Sequence, residues 1–163
     1  MLVGRAVIAV KVLEPFEGHK TGDIVLIEDW KAKILWEEGI VEVIDETDKI
    51  IGEIERVIRE EMASEPITTL PSGLYDRTEF YIEYLKRNVK NGDNIDVIDV
   101  QMKKLSNLLS KYKKLKEVRF KKILEAVRLR PGSLEILSRL SPDERGLYLD
   151  MSRMRRRWLG EEV

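Results

Sequence analysis

The sequence predicts an α+β protein, in which a small N-terminal β-rich domain with one short helix precedes an all-α helical-bundle domain. Residues 2–13 are mostly β-branched or apolar, which is typical of a strand, whereas from Glu46 onward apolar residues recur at helical spacing. The stretch Leu105–Arg130 is the longest segment with this spacing. We therefore expect a small β-rich domain at residues 1–45 and an α-helical domain at residues 46–163.

The β-rich domain is predicted to contain three strands, at residues 2–13, Ile24–Ile27 and Ile40–Ile44. Asp29 is a suitable cap for a short helix between the last two strands, and Gly39 is suited to ending that helix. A unit of this size buries little apolar surface, so we expect it to be stabilised by packing against another element.

The helical domain begins with a sharp apolar stripe, formed by Ile50, Ile51, Ile54, Val57, Ile58 and Met62. Glu60 and Glu61 are predicted to lie on the solvated side of this helix. The prolines at 66 and 71 interrupt the pattern, and a second helix is predicted at Tyr75–Val89.

The next helix is predicted to carry an apolar stripe on one side and a basic face on the other. The stripe comprises Leu105, Leu108, Leu109, Tyr112, Leu115, Ile123, Leu124 and Val127, and the basic face comprises Lys111, Lys113, Lys114, Lys116, Arg119, Lys121 and Lys122. Pro131 and Gly132 must end this helix. A short helix follows at Ser133–Leu140, and the sequence Ser141-Pro142-Asp143-Glu144 predicts a capping box that begins the last one.

Charge is distributed unevenly along the 163 residues. Residues 1–100 contain 12 basic and 22 acidic side chains, whereas residues 101–163 contain 17 basic and 8 acidic ones. This asymmetry favours docking onto charged partners or onto subunits of one assembly. The alternative is a solvated surface rich in ion pairs, which is typical of thermophilic proteins and agrees with 36% charged residues and no cysteine.

The sequence contains no recognisable catalytic or metal-binding motif, so we predict a protein that is not an enzyme and has no cofactor. His19 is the only histidine and lies in a loop without suitably spaced companions. Zero cysteines exclude disulfides and thiolate metal sites. The N-terminus is too short and too charged for a signal peptide or membrane span, so we expect a soluble intracellular protein.

Two basic clusters are candidate contacts for a protein partner or for DNA: Lys113, Lys114 and Lys116, and Arg153, Arg155, Arg156 and Arg157. Aromatic residues are not interleaved with the lysines, which disfavours base stacking. Arginines in the last turns of a helix also complement its dipole and pair with carboxylates, so protein docking is favoured over DNA.

The tyrosine-rich second helix and the start of the last helix are the predicted subunit interface, since tyrosine-rich apolar faces favour interfaces. The residues are Leu74, Tyr75, Phe80, Tyr81, Tyr84, Leu147, Tyr148 and Met151. For Phe80 and Tyr84, a place in the core of the monomer is an interpretation almost as well supported.

The order of parts resembles that of GINS replication-complex subunits from archaea in which the small β domain precedes the helical domain. In the small domain, Trp30, Ala32, Leu35, Gly39 and Val41 fit the family's helix-glycine-strand form. Lys31 replaces the usual apolar residue after the tryptophan, and the usual proline is missing. In the helical domain, the residues that fit the family signature are Leu115, Arg119, Lys122 and Ile123.

The resemblance implies a non-catalytic scaffold within a heterotetramer that contains two copies each of two GINS-type subunits. In such a scaffold, residues 1–45 are expected to be a docking domain and residues 46–163 the domain for subunit assembly. It also implies partners at the replication fork, namely the MCM helicase, a RecJ-like protein and, in some lineages, primase. The expected location is the cytoplasm, at the nucleoid-associated fork. The alternative function is a DNA-binding regulator that uses the basic long helix and the C-terminal arginines, with affinity that falls steeply with salt.

Overall fold

A computed structural model of the protein describes residues 6–161. In chain order its elements are β1 (Val7–Val12), β2 (Ile24–Glu28), α1 (Asp29–Glu37), β3 (Val41–Val43), α2 (Thr47–Ala63), α3 (Leu74–Lys90), α4 (Ile95–Leu129), α5 (Leu134–Arg139) and α6 (Pro142–Leu159). The predicted α+β class is confirmed, because a small sheet with one short helix precedes a mostly helical region. Residues 2–5 of the predicted first strand lie outside the described part of the chain.

The three strands form an antiparallel sheet in the order β2-β1-β3. Val10 lies opposite Val43 and Val12 opposite Val41, and all four are buried on the face that carries Ile8. Strand residues alternate between faces, so Lys11 and its partner Ile24 lie on the other face and are exposed. The helix α1 packs against all three strands and contributes the fully buried Ala32.

The end of α1 is set by Gly39, as the sequence predicts. Gly39 has a φ of +74°, in the left-handed region that glycine adopts without strain. This turn lets the Ile40 N–H donate to the Leu35 carbonyl oxygen at 2.9 Å, which satisfies one of the last carbonyls of the helix. The chain then enters β3 directly.

Contacts within the chain group it into two compact units. The first runs through Gly52 and includes Ser72–Leu109, and the second comprises Glu53–Pro71 with the chain from Ser110 onward. Each unit therefore takes part of α2 and part of α4. The predicted boundary at 45/46 marks where the periodicity of the sequence changes from strand to helix. The two units are instead defined by contacts, so they do not test that boundary.

In the first unit, the core beyond the sheet is formed by the inward residues of α2 and α3. Ile50, Leu74 and Leu85 are at most 2% exposed. Tyr81 is also buried, and its hydroxyl donates to the carbonyl oxygen of Ile44 at 2.7 Å. Burial raises the pKa of the Tyr81 hydroxyl, as does the nearby charge of Glu46, so the group stays a neutral donor.

The second unit has a continuous apolar core in which α4, α5 and α6 take part. Its buried members are Ile67, Ile123, Ala126, Val127, Ile136, Leu140 and Tyr148. The Tyr148 hydroxyl accepts a hydrogen bond from the Ser133 N–H at 2.9 Å and donates one to the Arg130 carbonyl. This tyrosine therefore satisfies backbone groups in the turn between α4 and α5.

The start of α6 is the predicted capping box. The Ser141 hydroxyl accepts from the Glu144 N–H at 3.4 Å, and the Glu144 carboxylate accepts from the Ser141 N–H at 2.9 Å. Pro142 occupies the first helical position, where no N–H is required. Ser133 caps α5 in the same way, with its side chain accepting from the Ile136 N–H.

Candidate functional site

Arg119 lies at the centre of a buried ion cluster, although it was predicted to lie on the basic face of the helix, opposite the apolar stripe. The residue is 1% exposed. Its guanidinium donates two hydrogen bonds to the Glu144 carboxylate, at 2.8 and 2.7 Å, and one to Glu61 at 3.0 Å. We call Arg119, Glu61 and Glu144 the buried ion cluster.

Glu61 also differs from its prediction, because its side chain is fully buried rather than solvated. It accepts hydrogen bonds from the backbone N–H and the hydroxyl of Thr68. Met62, predicted to belong to the apolar stripe, is instead 68% exposed. Successive helix residues are rotated by about 100°, so only one of these two neighbours can point inward. The charged residue takes that position because Arg119 compensates for its burial.

The four residues on which the resemblance to GINS subunits rests in the helical domain lie in or beside the packed interior of the second unit. Leu115 and Ile123 are at most 1% exposed, on either side of Arg119 along α4. The Lys122 ammonium donates to the Ser64 and Glu65 carbonyl oxygens. The Arg119 guanidinium also donates to the Thr68 carbonyl oxygen, so Lys122 and Arg119 together hold the loop after α2 against α4.

The electrostatics of the buried ion cluster keep Arg119 charged. Burial alone would lower the pKa of the Arg119 guanidinium, but its hydrogen bonds to Glu144 and the charges of Glu144 and Glu61 raise that pKa overall. A permanently protonated guanidinium cannot act as a general acid or base near neutral pH. Arg119 therefore holds the two carboxylates in place through its hydrogen bonds.

A row of apolar side chains lies along one side of α6, the last helix of the second unit, and two of its members are largely exposed. Leu147, Met151, Met154 and Trp158 follow one another at steps of four, three and four residues, so they lie on one side of the helix over ~16 Å. Met154 is 68% exposed and Trp158 is 89% exposed. We call these four residues the α6 stripe.

The α6 stripe contains two of the predicted interface residues on this helix but not the third. Leu147 is 38% exposed, and Met151 is partly buried against the core. Tyr148 is 0% exposed, so its assignment to the interface is corrected to the core. Met154 and Trp158 were not among the predicted interface residues. Helical spacing groups them with Leu147 on one side of the helix, but it does not show how far each is exposed.

Arginines flank the α6 stripe near its C-terminal end. Arg153 lies 3.7 Å from the Asp150 carboxylate, and Arg155 lies 3.7 Å from Glu161. Arg156 and Arg157 lie in the last turn, where their charge complements the helix dipole. Tryptophan, methionine and arginine are the residue types enriched at protein interfaces.

The structure divides the predicted interface residues of α3. Leu74 and Tyr81 are 1% and 2% exposed, so they belong to the core and their assignment to an interface is corrected. Tyr75, Phe80 and Tyr84 are partly exposed. The Tyr84 ring lies 5.4 Å from the Trp36 ring of α1, so this tyrosine packs within its own unit while retaining some surface.

The lysines of the predicted basic face of α4 are solvent-accessible. Lys113, Lys114 and Lys116 are exposed, and the Lys116 ammonium lies 4.4 Å from the centre of the Tyr112 ring. Lys111 is less exposed and lies 3.3 Å from the Glu55 carboxylate. The exposed lysines form a surface that can meet acidic groups or phosphates.

Residues 6–161 contain no group of three His, Asp or Glu side chains that could bind a metal ion. His19 lies beside Phe16, with ring centres 5.2 Å apart. Among the described helices, none combines the length and apolar character needed to cross a bilayer. In sequence comparisons, no protein-family model matches this chain, and no curated protein matches it significantly.

Proposed function

We propose that this chain is a non-catalytic subunit of a GINS-type replication assembly, and that the α6 stripe binds a companion subunit. The observation that carries the proposal is the exposure of Met154 and Trp158 beside Leu147 on one side of α6. The order of the β and helical regions and their family-like residues give the assembly its proposed identity.

The energetics favour a protein partner for the α6 stripe. Removing a large apolar side chain from water stabilises an association by about 1.5–3 kcal/mol. Trp158 and Met154 together can therefore contribute several kcal/mol to binding. Association itself costs about 4–15 kcal/mol, so the stripe must form the centre of a larger interface. Arginines around such a centre suit the polar rim of an interface.

The proposed assembly contains two copies of this chain and two of a second GINS-type subunit. Its proposed role is to link the MCM helicase to a RecJ-like protein, and to primase in some lineages, at the replication fork. The excess of acidic side chains in residues 1–100 and of basic side chains in residues 101–163 supports docking onto several charged partners. These partner identities come from the resemblance alone.

The test is size-exclusion chromatography with light scattering on this chain alone and after co-expression with the GINS-type companion from the same genome. We expect a complex near twice the summed masses. Met154→Glu with Trp158→Glu should abolish it, because a charge would be buried at the interface. The matched control is Leu134→Glu, a side chain of α5 that is 82% exposed. A monomer that ignores the companion, or equal effects of both variants, would contradict the proposal.

The exposed lysines of α4 favour one alternative, a DNA-binding regulator. Lys113, Lys114 and Lys116 can contact phosphates, and so can Arg155, Arg156 and Arg157 on α6. This alternative predicts duplex DNA binding that weakens steeply as salt rises and is lost when these residues are neutralised. Salt-dependent DNA binding by a chain that ignores the companion would establish the alternative.

A further inference from the structure

A groove with aromatic walls lies between α1 and α3 in the first unit. It is open to solvent and has a volume of about 230 Å³. Its aromatic lining residues are Trp30, Trp36 and Phe80. Trp30 is 47% exposed, which is unusual for the largest apolar side chain, and its indole N–H donates to the Glu28 carboxylate.

The charged residues around this groove are mainly acidic. Four carboxylates and one ammonium line it: Asp29, Asp76, Glu79, Glu83 and Lys33. Adding the neighbouring Arg87 and its partner Glu37 leaves the same excess of three negative charges. Aromatic faces attract cations through the ring quadrupole, and carboxylates attract them directly. The groove is therefore complementary to a cationic group with a flat, weakly hydrated surface.

Two residues of the groove already bind a guanidinium within this chain. The Arg87 guanidinium carbon lies 5.1 Å from the centre of the Trp36 ring. The same group donates to Glu83 at 3.3 Å and to Glu37 at 2.6 Å. Because Trp36 and Glu83 line the groove, an aromatic ring and a carboxylate of this groove already accommodate a guanidinium in the folded chain.

We propose that the groove between α1 and α3 binds an arginine side chain carried on a flexible segment of a partner protein. Arginine is favoured over lysine because its planar guanidinium stacks on aromatic rings and binds carboxylates through two parallel hydrogen bonds. The proposal goes beyond the assembly described above and does not depend on it, since the groove belongs to the first unit and the α6 stripe to the second.

Tryptophan fluorescence can report on this groove specifically. The sequence has three tryptophans, and the Trp158→Phe variant leaves only Trp30 and Trp36, both of which line the groove. The probe is a short capped peptide of alternating arginine and glycine, compared with the same peptide containing lysine. We expect a saturable fluorescence change, and binding of the arginine peptide at least about threefold tighter than that of the lysine peptide.

Variants in the same background separate specific recognition from general attraction to an acidic protein. Neutralising Glu79→Gln and Glu83→Gln should weaken binding of the arginine peptide about tenfold. The matched control neutralises Asp93→Asn and Asp99→Asn, two exposed carboxylates of the same unit outside the groove, and should change binding less than about twofold. Trp30→Leu, which keeps an apolar side chain but removes the ring, should weaken binding about threefold or more.

Thermal unfolding followed by circular dichroism checks that each variant is folded. No saturable change with the arginine peptide would overturn the proposal. So would equal affinity for the lysine peptide, because the guanidinium would then have no special role. Equal weakening by the groove and control double variants would also overturn it, because the attraction would then be non-specific. Unchanged binding by the Trp30→Leu variant would overturn it as well, because the arginine would then make no contact with the Trp30 ring.

Discussion

Two arginines of α4 form ion pairs of nearly the same length in different surroundings. Arg119 lies 2.7 Å from Glu144, with side chains that are 1% and 7% exposed. Arg128 lies 2.6 Å from Glu125, with side chains that are 65% and 53% exposed. The distances alone would suggest that the two pairs stabilise the fold equally. Any difference between their contributions to stability must therefore come from how far each pair is exposed to solvent.

The contrast teaches that burial, rather than proximity, decides what an ion pair does for the fold. At the surface, water solvates both charges whether or not they meet, so the pair adds little to stability. In the interior each charge has lost its hydration and depends on its partners. Arg119 therefore fixes a specific arrangement of three segments, namely α4, the end of α2 and the start of α6. Arg128 instead pairs with a residue three positions earlier on the surface of its own helix.

The largest effect is expected when the buried ion cluster loses its cation. Arg119→Met keeps much of the side-chain volume but leaves Glu61 and Glu144 buried without a counter-charge. We expect a loss of about 3–5 kcal/mol in the free energy of unfolding, measured by urea denaturation followed by circular dichroism.

A second variant of the same cluster shows whether the missing charge is responsible. Glu61→Gln removes one of two carboxylates and leaves Arg119 paired with Glu144, so we expect a loss of about 1–3 kcal/mol. If Arg119→Met were as stable as the natural chain, or less damaging than Glu61→Gln, burial would not have the importance assigned to it here.

An intermediate effect is expected at Asp45, whose side chain is 25% exposed. Its carboxylate accepts hydrogen bonds from the Thr47 N–H at 2.9 Å and from Lys104 at 3.1 Å. Burial raises the pKa of Asp45, but hydrogen bonds from Thr47 and Lys104 lower it overall, to below its usual 3.8. A lowered pKa in the folded state means that the ionised form stabilises the fold.

The substitution Asp45→Asn should therefore destabilise the protein at neutral pH by about 1 kcal/mol. The stabilisation is fully present above the unfolded pKa of Asp45 and is lost as the pH falls through the lower folded pKa. The difference between natural chain and variant should accordingly shrink below pH 3.8. A difference that grows on acidification, in urea titrations at several pH values, would contradict this assignment.

The smallest effect is expected at the exposed pair. Hydrogen bonding to Arg128 lowers the pKa of the Glu125 carboxyl, yet both groups are solvated in the folded protein. Arg128→Ala should leave the urea midpoint unchanged within error, since alanine also favours the helix. A marked loss of stability from this change would break the contrast between the two arginines.

Local signals in the sequence predicted much of the fold. The Ser141 capping box, the helix end at Gly39 and the inward positions of Ile50, Ile54 and Leu115 follow from neighbours a few residues away. Such features depend on backbone hydrogen bonds and on helical periodicity, both of which are determined by residues a few positions apart in the sequence. They are therefore readable without knowledge of the tertiary structure.

The candidate surfaces were only partly predictable. The composition of α6 indicated an interface, but Tyr148 and Met154 could be placed on the core and on the surface only once the other helices were present. The groove between α1 and α3 is lined by both Trp30 and Phe80, which are 50 positions apart in the sequence. Neither residue alone indicated a binding site.

By itself, the sequence determined the α+β class, the capping box at Ser141, the helix end at Gly39 and most of the residues that form the apolar core. The predicted cap at Asp29 was wrong, because α1 begins at Asp29 itself and Glu28 occupies the capping position without a side-chain hydrogen bond. Only the tertiary structure decided that Glu61 and Arg119 would be buried, because periodicity sorts side chains by polarity and assigns every charge to the solvent. Burying a charge becomes favourable when an opposite charge from a distant segment meets it with good geometry. That meeting joins α2 to α4 across 58 residues of sequence, a separation that no local pattern encodes.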